Sequence, residues 1–201
     1  MGPWLTFLAV AIYGLVHSLL ASTTVKSKIQ SSLGNRFMQY YRMIYNVLGI
    51  LTFLPVLAVP AIWPGPILYQ LSGIWMAIAL LGQVLAVGFL LLSLRQTDVW
   101  HFLGVRQLVD GSTKEGQELV VGGLYRCVRH PLYAAGLIFL WLTPVMTTST
   151  LALILSLSLY ILIGSVFEEK RLQREFGVAY QAYRNEVPRL IPHLGKCFGA
   201  E

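Results

Sequence analysis

The chain has 201 residues, 56% hydrophobic and 12% charged, with 15 Lys and Arg against 9 Asp and Glu for a net charge of +6. A soluble domain carries about 25% charged residues, so this chain lacks the charge to cover a water-soluble globule of its size. Two cysteines, Cys127 and Cys197, are too few for a secreted disulfide scaffold, and the hydrophobicity excludes intrinsic disorder. What remains is an integral membrane protein, read here as one domain over residues 1–201.

The charges are not spread evenly. Residues 1–22, 43–94 and 131–167 contain none, whereas 23–42 hold Lys26, Lys28, Arg36 and Arg42 without an acid. The basic excess is therefore a topology signal, and no nucleic-acid partner is expected.

In chain order, 3–22 is long enough for one span at about 20 residues per crossing. It lacks a basic leader region and its apolar run is too long for a signal peptide, so it is expected to be a retained helix. Within it lies His17-Ser18. An ionisable residue inside a span is a functional candidate, the alternative being a hydrogen bond between helices. Residues 43–94 are too long for one helix and are punctuated by Pro60, Pro64, Gly65 and Pro66, which predicts spans near 43–62 and 70–94. As one rod, 131–167 would measure about 55 Å against a hydrocarbon core of about 30 Å. A break at Thr147-Thr148-Ser149-Thr150 is expected to fold it into a helical hairpin. The prediction is an all-α integral membrane fold of five transmembrane helices, three of them within 1–94, with the C-terminal hairpin in 95–192. All charged segments then emerge on one side, cytoplasmic by the positive-inside rule, with the N-terminus outside. A bacterial inner membrane is the expected location.

Two polar clusters flank the hairpin. The first is Gly122-Gly123-Leu124-Tyr125-Arg126-Cys127-Val128-Arg129-His130-Pro131-Leu132-Tyr133-Ala134-Ala135-Gly136. Its glycines permit close approach of a ligand. Pro131 suits the first turn of a helix, which sets Arg129 and His130 at a helix N-terminus that favours anions. The cluster reads equally as a carboxylate or phosphate site or as the basic flank of a span. Cys127 lies among cations that would lower its pKa, but no partner points to covalent catalysis. The second cluster, Glu168-Glu169-Lys170-Arg171-Leu172-Gln173-Arg174-Glu175-Phe176-Gly177, reads as a cytoplasmic amphipathic helix with acids first, bases after, a Glu168–Arg171 pair and a stop at Gly177. Tyr180 and Tyr183 share the face of a following turn, and Pro188 and Pro192 forbid further helix. Two adjacent carboxylates are a poor choice for mere anchoring at an anionic leaflet.

Together, Tyr125-Arg126-x-x-Arg129-His130-Pro131-x-Tyr133-x-x-Gly136, the hairpin, Glu168-Glu169-x-x-Leu172-x-x-x-Phe176-Gly177-x-x-Tyr180-x-x-Tyr183 and Val187-Pro188-Arg189 resemble the integral-membrane methyltransferase superfamily. That group includes isoprenylcysteine carboxyl methyltransferases and phospholipid N-methyltransferases. The N-terminal part, with His17-Ser18-Leu19-Leu20-Ala21-Ser22 and Tyr41-Arg42-x-x-Tyr45-Asn46, resembles bacterial methanethiol S-methyltransferase-like proteins and denitrification-associated membrane proteins. The resemblance implies S-adenosylmethionine at the cytoplasmic surface and an acceptor entering from the bilayer. In that reading Arg129 pairs with the cofactor carboxylate and Glu168 and Glu169 with its ammonium. Gly123, Tyr125, His130, Tyr133 and Tyr180 surround the rest. His17 serves the acceptor, so that His17, Arg129 and Glu168 form the catalytic set.

The spans hold no carboxylate before Glu168, which favours a thiol or carboxylate acceptor, small or lipophilic, over an amine that must lose a proton. Competing readings are a nicotinamide-dependent membrane reductase of sterol-reductase type, which usually has more spans, and a haem or ion-handling bundle using His17, His101, His130 and His193. Neither the oligomeric state nor a metal ligand set is legible.

Overall fold

In a computed structural model of the chain, the described residues are 1–97, 99–106, 119–192 and 197; His193 lies outside them. Helix α1 (Gly2–Ala21) matches the first predicted span. Its buried residues Gly2, Thr6, Val10 and Gly14 recur every fourth position on one stripe. Small residues on such a stripe let a neighbouring backbone come close, while Phe7, Ile12, Leu15 and Leu19 stay exposed. Ser22 ends α1 in extended conformation, and its hydroxyl accepts from Val25 N at 3.2 Å, capping α2 (Thr23–Ile62).

Helix α2 runs through the whole basic segment 23–42 and is interrupted at Gly34 (φ 78°). The span expected at 43–62 is the far end of this longer helix. The Pro64-Gly65-Pro66 break leads into a short strand, β1 (Ile67–Gln70), and then α3 (Gly73–Gln96), which closely matches the third predicted span. Buried Ala79, Ala86 and Ser93 mark its packed face every seven residues. A five-residue α4 (Val99–Leu103) and a 3-10 turn (Gly123–Arg126) follow.

The hairpin departs from expectation in its details. Helix α5 (Pro131–Trp141) has Pro131 in its first turn, as the sequence predicts, but only 11 residues, a rise of about 16 Å. Strand β2 (Val145–Thr147) then pairs with β1. Leu71 N donates to Pro144 O at 2.9 Å, Thr148 N to Pro66 O at 3.0 Å and Ser149 N to Pro64 O at 3.1 Å, an antiparallel order. The break thus falls over 142–147, earlier than expected and partly as strand. The carbonyls of the Pro64–Pro66 break, freed from helix, find donors there. Thr147 is the hinge: its hydroxyl accepts from Thr150 N at 3.1 Å and caps α6 (Thr148–Glu186). Among the described residues, four helices (α1, α2, α3 and α6) are long and apolar enough to cross a membrane, and α5 is a shorter apolar one. The molecule is an all-α integral membrane protein.

Contacts divide the chain into two compact units. One comprises Met1–Tyr69 and Met146–Leu157 with the described residues between 98 and 116; the other comprises Gln70–Thr97 and the described residues of 117–145 and 158–201. In the first, α1 packs along α2 and Tyr41 Oη donates to Leu20 O at 2.7 Å. In the second, α3 packs along α5, with Gln83 Nε2 donating to Phe139 O at 3.1 Å.

The expected amphipathic helix is no separate element. Helix α6 carries from the span through Glu168–Phe176 without a break, kinks at Gly177 (φ 53°, ψ −120°) and resumes to Glu186. Gly177 is thus a bend rather than a stop, and Gln173 Nε2 donates to its carbonyl at 2.9 Å. A Cβ at this position would meet no atom within 4 Å, so the requirement for glycine is purely conformational. Gly177→Ala is expected to destabilise the fold by about 1–3 kcal/mol, read as a lowered thermal unfolding midpoint of the purified protein by circular dichroism.

Candidate active site

The second unit gathers both predicted clusters. The loop before α5 is held by the C-terminal segment after α6: Arg129 N donates to Pro188 O at 2.9 Å and His130 N to Arg189 O at 3.1 Å. The prolines that forbid helix at 187–192 thereby leave an extended strip that pairs with Arg129-His130. This aligns three elements, the 3-10 turn, the start of α5 and the C-terminal half of α6.

At their meeting point is a buried charge cluster. Arg129 Nε and Nη2 donate to Glu169 Oε1 at 2.9 and 2.6 Å. Arg129 Nη1 donates to Arg184 O at 3.1 Å and to Val187 O, satisfying carbonyls at the end of α6. His130 Nε2 lies 3.4 Å from the same Glu169 oxygen, and its Nδ1 lies 3.6 Å from Glu168 Oε2. Side-chain exposure is 8% for Arg129 and 9% for Glu169, against 31% for Glu168. Glu168 reaches Arg171 only at 4.0 Å, the i,i+3 pair expected from sequence. Two adjacent carboxylates thus have unlike surroundings: Glu169 is locked into a salt bridge, and Glu168 keeps acceptor capacity.

Aromatic residues wall the cluster. Tyr133 stacks on His130 with centroids 5.3 Å apart and planes 15° off parallel. Tyr180 is 1% exposed and meets Tyr183 edge-on at 6.1 Å. Tyr183 Oη donates to Tyr125 O at 2.7 Å, whereas the buried Tyr180 Oη makes no close hydrogen bond among the described residues and lies beside the Arg129 guanidinium. Burial, opposed by the two glutamates, holds the His130 pKa below the usual imidazole value. Burial and the Glu168 charge push the Tyr125 phenol up to about 12. The site thus holds a neutral imidazole and protonated phenols.

Some sequence candidates take other roles. The opening beside Gly123 (φ 59°), expected to admit a ligand, is filled by the Gln96 side chain: a Cβ at Gly123 would lie 2.5 Å from Gln96 Nε2. Gln96 Oε1 accepts from Leu124 N at 2.9 Å, a tie that nothing in the sequence signals. Burial and neighbouring Cys197 push the Cys127 thiol up to about 11, the reverse of the lowering its flanking cations suggest. His17 belongs to the first unit. There Tyr45 Oη lies 2.5 Å from His17 Nε2. Tyr13 stacks on the imidazole at 5.3 Å and Gly49 lies against its edge. Tyr45 belongs to the Tyr41-Arg42-x-x-Tyr45-Asn46 motif, but its bond to His17 required the structure.

Residues 74–179, just over half of the chain, match the phospholipid methyltransferase family. The chain is 38% identical over 138 residues to methanethiol S-methyltransferase 2 of Bradyrhizobium diazoefficiens, covering 65% of this chain and 51% of that protein. It is 35% identical over 133 residues to methanethiol S-methyltransferase of Crocosphaera subtropica, covering 61% and 52%. A Pseudomonas methanethiol S-methyltransferase is 37% identical over 115 residues, covering 56% and 44%. The chain spans about half the length of the curated relatives it matches. No solved structure matches it.

Two measurements probe the cluster. Arg129→Ala strands Glu169 as a buried, unpaired charge and frees carbonyls at the end of α6. A loss of about 3–5 kcal/mol is expected in chemical unfolding, with Arg129→Lys recovering only part because an ammonium lacks the guanidinium fork. For His130 the folded pKa is the lower one, so the unfolded chain takes up the proton first as pH falls. The stability contributed by neutral His130 is complete above pH ~6.5 and is lost as pH drops from there through the folded value. Thermal midpoints should fall below that pH, and His130→Gln should flatten the decline.

Proposed function

The chain belongs to the phospholipid methyltransferase family, and on that footing we propose that it transfers a methyl group from S-adenosylmethionine to a small thiol, methanethiol being the first candidate, at the cytoplasmic face of a membrane. The observation that carries the reading is the split between the two glutamates. Glu169 neutralises Arg129, leaving Glu168 as a partly exposed carboxylate beside a neutral imidazole.

That arrangement fits a zwitterion with an added positive charge. Glu168 is 3.6 Å from His130 Nδ1 and 4.0 Å from Arg171 and accepts a hydrogen bond from Tyr133, which leaves part of its acceptor capacity for an ammonium. Arg129 commits four of its five N–H groups among the described residues and also interacts with the Tyr180 hydroxyl, so what it offers a ligand carboxylate is its positive charge. Tyr180 Oη, buried beside the Arg129 guanidinium, suits the polar edge of a nucleoside, and the Tyr133 ring supplies a stacking wall. When bound, S-adenosylmethionine supplies an electrophilic methyl carbon. The protein's contribution is alignment and the exclusion of water, which needs rigid, satisfied charges such as the Arg129–Glu169 pair. Tyr125 and His130 shape the same wall in this reading.

A thiol acceptor must shed a proton, and His17 is assigned that role. Its Nε2 is engaged by Tyr45, which fixes the ring's orientation, and in the tautomer whose Nε2–H donates to Tyr45 Oη the Nδ1 lone pair takes the thiol proton. With an N-terminus outside and a C-terminus inside, the site residues of the second unit lie at the cytoplasmic surface, within reach of cytosolic S-adenosylmethionine.

The test is a reaction of the purified full chain with methyl-labelled S-adenosylmethionine and, in separate vessels, methanethiol, a prenylcysteine and phosphatidylethanolamine. Labelled dimethyl sulfide is expected from the first. Glu168→Gln should weaken S-adenosylmethionine binding by about tenfold or more, as for a lost hydrogen bond to a charged group. His17→Gln should bind it normally and lose roughly 10²–10⁴ in turnover. Methylation confined to the amine, or wild-type turnover in His17→Gln, would contradict the assignment.

A further inference from the structure

Beside the charge cluster, an open cleft of about 610 Å³ runs along α6 and the segment after it. Its membrane end is apolar, formed by Val166 and Phe167, the latter 65% exposed. Its other end carries Lys170, Arg174, Arg184 and Arg189. None of these four is in an ion pair among the described residues. Among the described lining residues the one carboxylate, Glu169, is already neutralised by Arg129. Among the described residues, four cations therefore face one cleft without an acidic partner.

A positive cleft so placed is not explained by generic snorkelling, in which cations fan outward to many headgroups. Two details point to a particular occupant. Lys170 Nζ sits 5.7 Å over the Phe167 ring, joining the apolar and cationic ends into one surface. Gln173, also in the lining, donates through Nε2 to Gly177 O and leaves Oε1 buried without a donor. An unfilled buried acceptor calls for a hydroxyl or N–H.

We propose that this cleft binds an anionic phospholipid whose headgroup carries hydroxyls, the chemistry of phosphatidylglycerol. The acyl chains lie against Val166 and Phe167, the phosphate sits among Lys170, Arg174, Arg184 and Arg189, and a glycerol hydroxyl donates to Gln173 Oε1. The lipid would also bear on the neighbouring cluster, because Arg184 lends its carbonyl to Arg129 and Glu169 belongs to both. The inference is independent of the methyl acceptor and of S-adenosylmethionine.

The test uses the purified full chain in neutral micelles with a trace of fluorescent phosphatidylglycerol. Unlabelled phosphatidylglycerol should displace the probe, phosphatidylcholine should do so at least tenfold less well by the loss of its net charge, and inorganic phosphate should compete poorly. Rising salt should weaken binding to the wild-type protein. Lys170→Gln/Arg174→Gln should weaken it roughly 25-fold, at about fivefold per cation removed, while Lys170→Arg/Arg174→Lys retains it. Unfolding midpoints of both variants distinguish lost binding from lost fold. Gln173→Leu should cost affinity for phosphatidylglycerol and spare phosphatidic acid, which lacks the glycerol headgroup. Equal displacement by phosphatidylcholine, competition by inorganic phosphate as strong as by the lipid, or salt-independent binding to the wild-type protein would each overturn the proposal.

Discussion

The buried contact between Arg129 and Glu169 is the interaction on which the second unit depends. A carboxylate and a guanidinium at 8–9% exposure are each costly to remove from water, and they are tolerated because their geometry compensates. Both Nε and Nη2 converge on one carboxylate oxygen, and Nη1 reaches the carbonyls of Arg184 and Val187. A single side chain thus ties the loop before α5 to the middle of α6 and to its end. The backbone pairing of Arg129-His130 with Pro188-Arg189 fixes the guanidinium's starting point. Lysine could carry the charge but not this three-way connection.

From that anchor follows the division of labour between the adjacent glutamates. Successive residues on a helix point about 100° apart, so Glu168 and Glu169 cannot share one environment. Glu169 turns into the salt bridge, and Glu168 turns toward His130 Nδ1 and Arg171. The imidazole between them is kept neutral by burial despite both negative charges. The result is a cluster in which the buried pair is satisfied internally and Glu168 is the more exposed and less tightly held carboxylate.

The first unit is organised by a different constraint. In hydrocarbon there is no hydrophobic driving force between helices, so association rests on close approach and on polar contacts. The stripe Gly2–Thr6–Val10–Gly14 supplies the close approach. Tyr41 on Leu20 O and Tyr45 on His17 supply polar contacts between α1 and α2. His17 is therefore structurally anchored whatever chemistry it performs. Tyr13 and Tyr45 hold the ring on two sides, a degree of restraint that suits a proton acceptor as well as a packing element.

Membrane residence and helical class were written in the sequence, because hydrocarbon tolerates only long runs free of charge and those runs are countable. The helix start at Pro131, the Glu168–Arg171 pair and the shared face of Tyr180 and Tyr183 were equally legible, since each depends on local backbone geometry. The hairpin's interior was not: whether 142–147 closes as a loop or pairs as a strand depends on β1, more than seventy residues earlier in the chain. The fate of Gly177 was hidden for a similar reason, as a glycine ends or merely bends a helix according to what the following residues can bury. Sequence also brought Arg129, His130, Glu168 and Glu169 forward as one group, but it treated the two glutamates alike and left Arg129 free for a ligand. Only the tertiary structure decided that Glu169 claims Arg129, that Gln96 fills the space beside Gly123 and that Tyr45 holds His17. Each of those choices is a contact between residues distant in the chain, and its energy lies in burial and hydrogen-bond geometry that no local pattern records.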